Sequence, residues 1–199
     1  MEQQFQYYAF ISYKREDEKW AKWLQDRLRW YKLPSKLCRQ ITRLPKKVWP
    51  VFRDNTDLDS GRLEENIRHE LERSHYLIVI CSPEAARSPW VGKEVKYFAT
   101  LHGADKIIPF VVSGIPYSND IETECIHEQI KAISQEELLA INVREEGIGS
   151  FAMKKKRAFI RVVARLLDIK FNTLWQPYER ILRIRKWSTG IGVALFLFV

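Results

Sequence analysis

Residues His75 to Ser82 read HYLIVICS, a nearly continuous apolar run. A strand with one wet face alternates apolar and polar residues; a run without that alternation belongs to a strand covered on both faces, as in a parallel sheet flanked by helices. Parallel strands cannot be joined by hairpins, so the chain must also provide crossover segments. It does. Tyr7 to Tyr13 is a β-rich run, and from Asp17 to Tyr31 the residues Trp20, Trp23, Leu24, Leu28 and Tyr31 recur at helical spacing among charges. Val48 to Asp54 predicts a second strand, with Pro50 marking an edge or a strand start. A polar loop, Asn55 to Ser60, leads to Gly61, which opens a helix to about Ser74 with Leu63, Ile67, His69, Glu70 and Leu71 on one face. Ser88-Pro89 has the form of an N-cap with proline at the first helical position, starting a helix through about Leu101. Lys106 to Ser113 and Glu137 to Val143 predict the fourth and fifth strands. Phe151 to Asp168 predicts a basic amphipathic helix whose apolar positions include Phe151, Phe159, Val162, Val163, Leu166 and Ile169. In such α/β sheets ligands bind at the carboxyl ends of strands. Chemistry is therefore sought after Tyr13, after Asp54 and after Ser82.

The 199 residues suit one globular domain, and the net charge of +8 would ordinarily point to nucleic acid or an anionic surface. Its distribution decides between them. Met1 to Val143 holds 21 Lys+Arg and 21 Asp+Glu, whereas Arg144 to Trp187 holds 12 and 4. The core is thus neutral and the excess is local, which argues against a nucleic-acid-binding surface. The run Lys154-Lys155-Lys156-Arg157 reads as a solvated helix face. Cys38, Cys81 and Cys125 lack CxxC spacing and the four histidines form no Cys/His grouping, so neither a metal site nor a disulfide framework is signalled. Cys81, inside the apolar run, reads as a buried reduced thiol, and a cytosolic compartment fits. No signal peptide is expected, because Met1 to Gln4 is polar and runs straight into the first strand. Neither GxGxxG nor a Walker loop is present, and no Ser-His-Asp or Cys-His arrangement is indicated.

At the three strand-to-loop junctions the chain resembles the Toll/interleukin-1 receptor (TIR) domain family. Phe10-Ile11-Ser12-Tyr13-Lys14-Arg15 is similar to the family's first box; Val51-Phe52-Arg53-Asp54 with Asp57-Leu58-Asp59-Ser60-Gly61 resembles its second box and BB loop. The third region is Tyr76 to Pro83 followed by Ser88-Pro89-Trp90-Val91-Gly92-Lys93-Glu94, which resembles the Trp-x-x-x-Glu element of TIR domains that cleave NAD⁺. The resemblance covers about Phe5 to Asp168. It implies a flavodoxin-like three-layer sandwich around a five-stranded parallel sheet, NAD⁺ as substrate with no cofactor, and self-association with other TIR domains. It also implies NAD⁺ glycohydrolase activity, releasing nicotinamide and ADP-ribose or a cyclised product in defence signalling. A non-catalytic signalling module acting through TIR–TIR contacts is the alternative. Two departures stand out: Lys32 to Lys47 is a long basic connection where a short loop is usual, and Ser60 replaces the proline of many receptors.

Glu94 is the expected catalytic residue. Trp90 and Glu94 are four residues apart and share a helix face with Tyr97, while Val91, Val95 and Phe98 form the stripe facing the sheet. An indole beside a carboxylate offers an apolar wall for an aromatic ligand and an acceptor for ribose hydroxyls. Such a fixed carboxylate stabilises an oxocarbenium-like ribose, an effect worth ~3–4 kcal/mol for one preorganised group. The competing reading is a solvated glutamate paired with Lys93 or another cation. Tyr13, Lys14 and Arg15 are candidates for the pyrophosphate or adenine ribose, or else a charged turn. Ser82 is a candidate ribose partner, Ser88 reads better as the helix cap, Arg53 is a candidate substrate contact or else half of a structural ion pair with Asp54 at the loop mouth, and Leu63 is either an apolar gate or helix core.

The C-terminal end reads as separate. We expect a TIR-like domain over 1–170, a basic juxtamembrane linker over 171–187, and in 188–199, twelve uncharged residues, the start of a truncated transmembrane helix. A full span needs ~20 apolar residues. Arg180, Arg183, Arg185, Lys186 and Trp187 immediately before this run match the positive-inside pattern and would place the domain in the cytosol, membrane-anchored at this end.

Overall fold

The structure is a computed structural model and describes residues 5–41, 44–53, 61–133, 139–144 and 149–176, the side chains of 61–64 excepted. Five strands form one all-parallel sheet in the order β2-β1-β3-β4-β5: β1 Tyr7–Ser12, β2 Val51–Arg53, β3 Ser74–Cys81, β4 Ile107–Val111 and β5 Ile141–Asn142. β3 is central, pairing Phe10 with Leu77 on one side and Ile108 with Ile78 on the other. Its apolar run is accounted for by that position, since every residue from Tyr76 to Cys81 is buried.

Side-chain alternation along the strands divides the core into two layers. Ala9, Ile11, Tyr76, Ile78, Ile80 and Phe110 face one side, beneath α1 (Glu18–Trp30) and α7 (Phe151–Leu166). Phe10, Leu77, Val79, Cys81 and Val111 face the other, beneath α3 (Gly61–Glu72) and α5 (Pro89–His102). The result is the expected flavodoxin-like three-layer sandwich. α5 begins as the sequence indicates: the Ser88 hydroxyl caps the helix by accepting from the Val91 N–H, with Pro89 at the first position.

Several boundaries differ. The second strand starts at Val51 rather than Val48 and is described as far as Arg53, and Ile141–Asn142 is what the described residues show of the fifth. Three helices were not anticipated: α2 Ser35–Gln40, α4 Pro83–Ala86 and α6 Glu128–Ile133. The connection Lys32 to Lys47, basic by composition, buries Leu33, Leu37 and Leu44 in the α1 layer, so its leucines rather than its charges set its path. On α7, Phe159, Val162, Val163 and Leu166 are buried, but Phe151 is 53% exposed at the start of the helix. The four basic residues 154–157 are half-buried rather than solvated. Lys155 lies over both Trp20 and Trp23, and Arg157 over Trp175.

Candidate active site at the ends of β1 and β3

In this strand order the connections leaving β1 and β3 run to opposite sides of the sheet, opening a crevice between the two carboxyl ends. Glu94 comes to that crevice from the second turn of α5. It is 5% exposed, and its Oε2 accepts a hydrogen bond from the hydroxyl of Ser12, the last residue of β1. Glu94 is therefore not a solvated side chain. A carboxylate taken out of water costs free energy unless hydrogen-bonded, and the β1 terminus supplies the donor.

Glu94 also lines a groove of about 280 Å³ between α3 and α5. Trp90 stands one turn above it, and Ile67 and Leu71 of α3 form the opposite apolar wall. Trp90 packs partly on the core under α5, with the Lys93 ammonium 5.8 Å from its ring centroid. Tyr97 lines the groove farther along the helix; its hydroxyl donates to Glu72 at 2.5 Å, which pushes the phenol pKa up, and Arg68 lies over its ring. Val91, Val95 and Phe98 face the sheet, fully buried. The helical spacing thus brings Trp90, Glu94 and Tyr97 to one groove.

The other candidates lie elsewhere on the same rim. Arg53, at the end of β2, donates from Nη1 to the Tyr13 hydroxyl (3.0 Å) and to Glu18 (3.3 Å), and from Nε to Gln25 (3.1 Å). Its guanidinium also sits over the Tyr13 ring. Tyr13 and Arg53 therefore form one unit joining β1, β2 and α1. Lys14 is half-buried and Arg15 exposed, at the start of the 3-10 turn Arg15–Asp17. Ser82 is fully buried and points to the α1 side of the sheet. Its hydroxyl donates to Asp17 at 2.5 Å and accepts from the Ala85 N–H at 3.0 Å, capping α4. Those bonds account for the proton and one lone pair of Ser82, turned away from the α5 groove. Asp54 and the loop 54–60 lie outside the described residues, as does the side chain of Leu63.

Ser12 and Asp17 were not among the sequence candidates. Asp17 is 8% exposed, and burial pushes its carboxyl pKa up, opposed by the Ser82 hydrogen bond. The available signal was positional: Ser12 closes an apolar strand two residues after Phe10, on the face that α5 covers. Among the described residues no group of three or more His, Cys, Asp and Glu side chains could hold a metal ion. Cys81 and Cys125 are free and buried, with thiol pKa values raised by burial, for Cys125 to about 12.

Comparison with known proteins agrees with this architecture. The TIR domain family profile matches residues 9–146, and the chain belongs to that family. It is 36% identical over 110 residues to the NAD(+) hydrolase ApTIR of Actinoplanes sp., a stretch that is 54% of this chain and 14% of that protein. The chain is also similar in fold to TIR domains in the structure of the activated Roq1 resistosome directly recognizing the pathogen effector XopQ. That match has a TM-score of 0.50 and 14% identity, covering 77% of this chain and 98% of the other.

Proposed function

We propose that this chain is a TIR-domain NAD⁺ glycohydrolase, with Glu94 as its catalytic residue and Trp90 as the wall against which the nicotinamide ring lies. The observation that supports this most directly is a buried carboxylate lining an apolar groove one helical turn from an indole. The NAD(+) hydrolase named above is the relative that makes NAD⁺ the substrate of choice. At about 280 Å³ the groove lies just below the ~300–1,000 Å³ of drug-sized sites, so it takes one end of a dinucleotide. The phosphates and adenosine would extend along the strand ends toward Tyr13, Lys14, Arg15 and Arg53.

The chemistry asks little of the protein. The bond between the pyridinium nitrogen and ribose C1′ breaks with its electron pair going to nitrogen, which turns a cationic leaving group into neutral nicotinamide without a proton. Positive charge develops on the ribose, and the Glu94 carboxylate, held in a site of low dielectric, stabilises it. Water then adds at C1′ and releases a proton, giving ADP-ribose; attack by an adenine nitrogen would instead give a cyclic product. Association of several such domains is the natural switch for this activity, and the basic stretch 171–187 with the apolar run 188–199 would hold the domain at the cytosolic face of a membrane.

The test is nicotinamide release from NAD⁺ by purified protein over a range of protein concentrations. We expect release, steeper than linear in protein, with Glu94→Gln slower by about 10²–10³-fold, the worth of one preorganised electrostatic group. Trp90→Ala should also be slower. Release that survives Glu94→Gln and Glu94→Ala sinks the site; no release at any concentration leaves the non-catalytic signalling module as the reading.

A further inference from the structure

The two central strands end in two serine–carboxylate pairs, and the pairs are reciprocal. Ser12 ends β1 and donates to Glu94, which stands on α5 in the connection leaving β3; Ser82 follows β3 and donates to Asp17, which stands in the turn that follows β1. Alternation sends the pairs to opposite faces. Ser12 shares the face of Phe10, toward α5, while Ser82 shares that of Ile80, toward α1. All four residues are buried. Each strand end is therefore tied to the connection leaving the other strand, one tie above the sheet and one below, at the boundary where the strand order reverses.

Asp17 shows that its tie is more than a local cap. It occupies the N-cap position of α1, where an aspartate ordinarily accepts from the helix's own first N–H groups, yet its side chain makes no capping hydrogen bond. It reaches across to Ser82 instead, at the cost of burial that raises its pKa. Ser82 passes the connection on through its second bond, to the Ala85 N–H.

We propose that Ser12 and Asp17 are positioning residues of one clasp around the crevice. Ser12 fixes the Glu94 carboxylate against the groove. Asp17, through Ser82, fixes the Tyr13-Lys14-Arg15 segment against the end of β3. The inference rests on the hydrolase reading for its kinetic consequences, but its structural consequence can be measured without substrate.

Ser12→Ala removes the tie from β1 to the Glu94 carboxylate and should lower kcat by about 10- to 100-fold, the usual cost of a misplaced reacting group, with KM nearly unchanged. Ser12→Cys, near-isosteric and a weak donor, should fall between the two. Asp17→Ala should instead raise KM by about tenfold or more, in the range of one hydrogen bond to a charged group, with kcat retained. Asp17→Asn keeps an acceptor for Ser82 and should restore most of the loss. Amide hydrogen exchange provides the substrate-free arm: Asp17→Ala should speed exchange at residues 14–18 and at Ala85 while β3 and β4 keep wild-type protection. Unchanged exchange in that turn, or Ser12→Ala acting on KM and sparing kcat, overturns the clasp. Wild-type protein that releases no nicotinamide refutes the hydrolase reading, and the exchange arm still decides the clasp. If Ser12→Ala does not fold, Ser12→Cys carries the comparison; if Asp17→Ala does not fold, Ser82→Ala removes the same hydrogen bond from its donor side and should raise KM and speed exchange at residues 14–18 in the same way.

Discussion

Gly92 is the fourth residue of α5, a helical position where glycine costs up to ~1 kcal/mol relative to alanine. The reason is His127. A Cβ at position 92 would lie 2.5 Å from His127 Cε1 and 2.7 Å from Nε2, so the imidazole is seated on bare helix backbone. The ring is held at both nitrogens: Nδ1 accepts from the Gln129 N–H at 3.0 Å, which leaves Nε2–H to donate to the Ser88 carbonyl at 3.1 Å. This neutral tautomer locks α6 to the first turn of α5, the turn that carries Trp90. Gly92→Ala should therefore destabilise the protein by ~1–3 kcal/mol in urea denaturation, overpacking outweighing the gain in helix propensity. A variant as stable as wild type would mean that the seat yields. Nothing in the sequence couples positions 92 and 127, because the contact is made by tertiary packing and has no period along the chain. Trp90 and Glu94, by contrast, share a face by helix spacing, which the sequence shows directly, and the family resemblance is what marks that face as a site.

Helices and strands separate in the same way. α1, α5 and α7 span 13 to 16 residues, long enough for an apolar stripe to repeat, and each lies close to where its periodicity puts it. α4 runs for only 4 residues and α6 is described over 6, too short to establish a period, and both appear only in the fold. The seam between α1 and α7 shows what a pattern of charges omits. Lys155 reads as one of four solvated cations, yet its ammonium lies 4.4 Å from the ring centroid of Trp20 and 4.2 Å from that of Trp23, and burial lowers its pKa. Trp23 continues the stack onto Phe110 of β4. The lysine thus joins two helices to the sheet through indole faces. Lys155→Met keeps the apolar stem and removes the charge, so it should cost about 0.5–2 kcal/mol, the range of a cation–π contact. Thermal unfolding and tryptophan emission would both report it, and an unchanged melting temperature would assign the seam to apolar packing alone.

For the molecule as a whole, one buried run, HYLIVICS, already implied a parallel sheet covered on both faces, and the rule for such sheets placed chemistry at the strand ends. Which ends matter depends on strand order, and that is a global property: β1 and β3 are neighbours although β2 lies between them in the chain. Ser12 and Asp17 escaped notice because each acquires its meaning from a partner more than sixty residues away. Buried titratable groups spread over the fold also set its response to acid. His75, His102 and His127 all have pKa values lowered from 6.5, in each case first by burial. The unfolded chain then binds more protons than the native state as pH falls below about 6.5, so the histidine contribution is fully present above that value and lost through the lower native pKa values. Asp17 acts in the opposite sense at lower pH, since its raised native pKa makes the folded state protonate first. Stability measured by urea denaturation should therefore fall from pH 7.5 to about 5.5 and then decline less steeply as the Asp17 contribution enters. His127→Gln should flatten the first part of that profile. A flat wild-type curve between those values would show that the three imidazoles accept protons inside the fold.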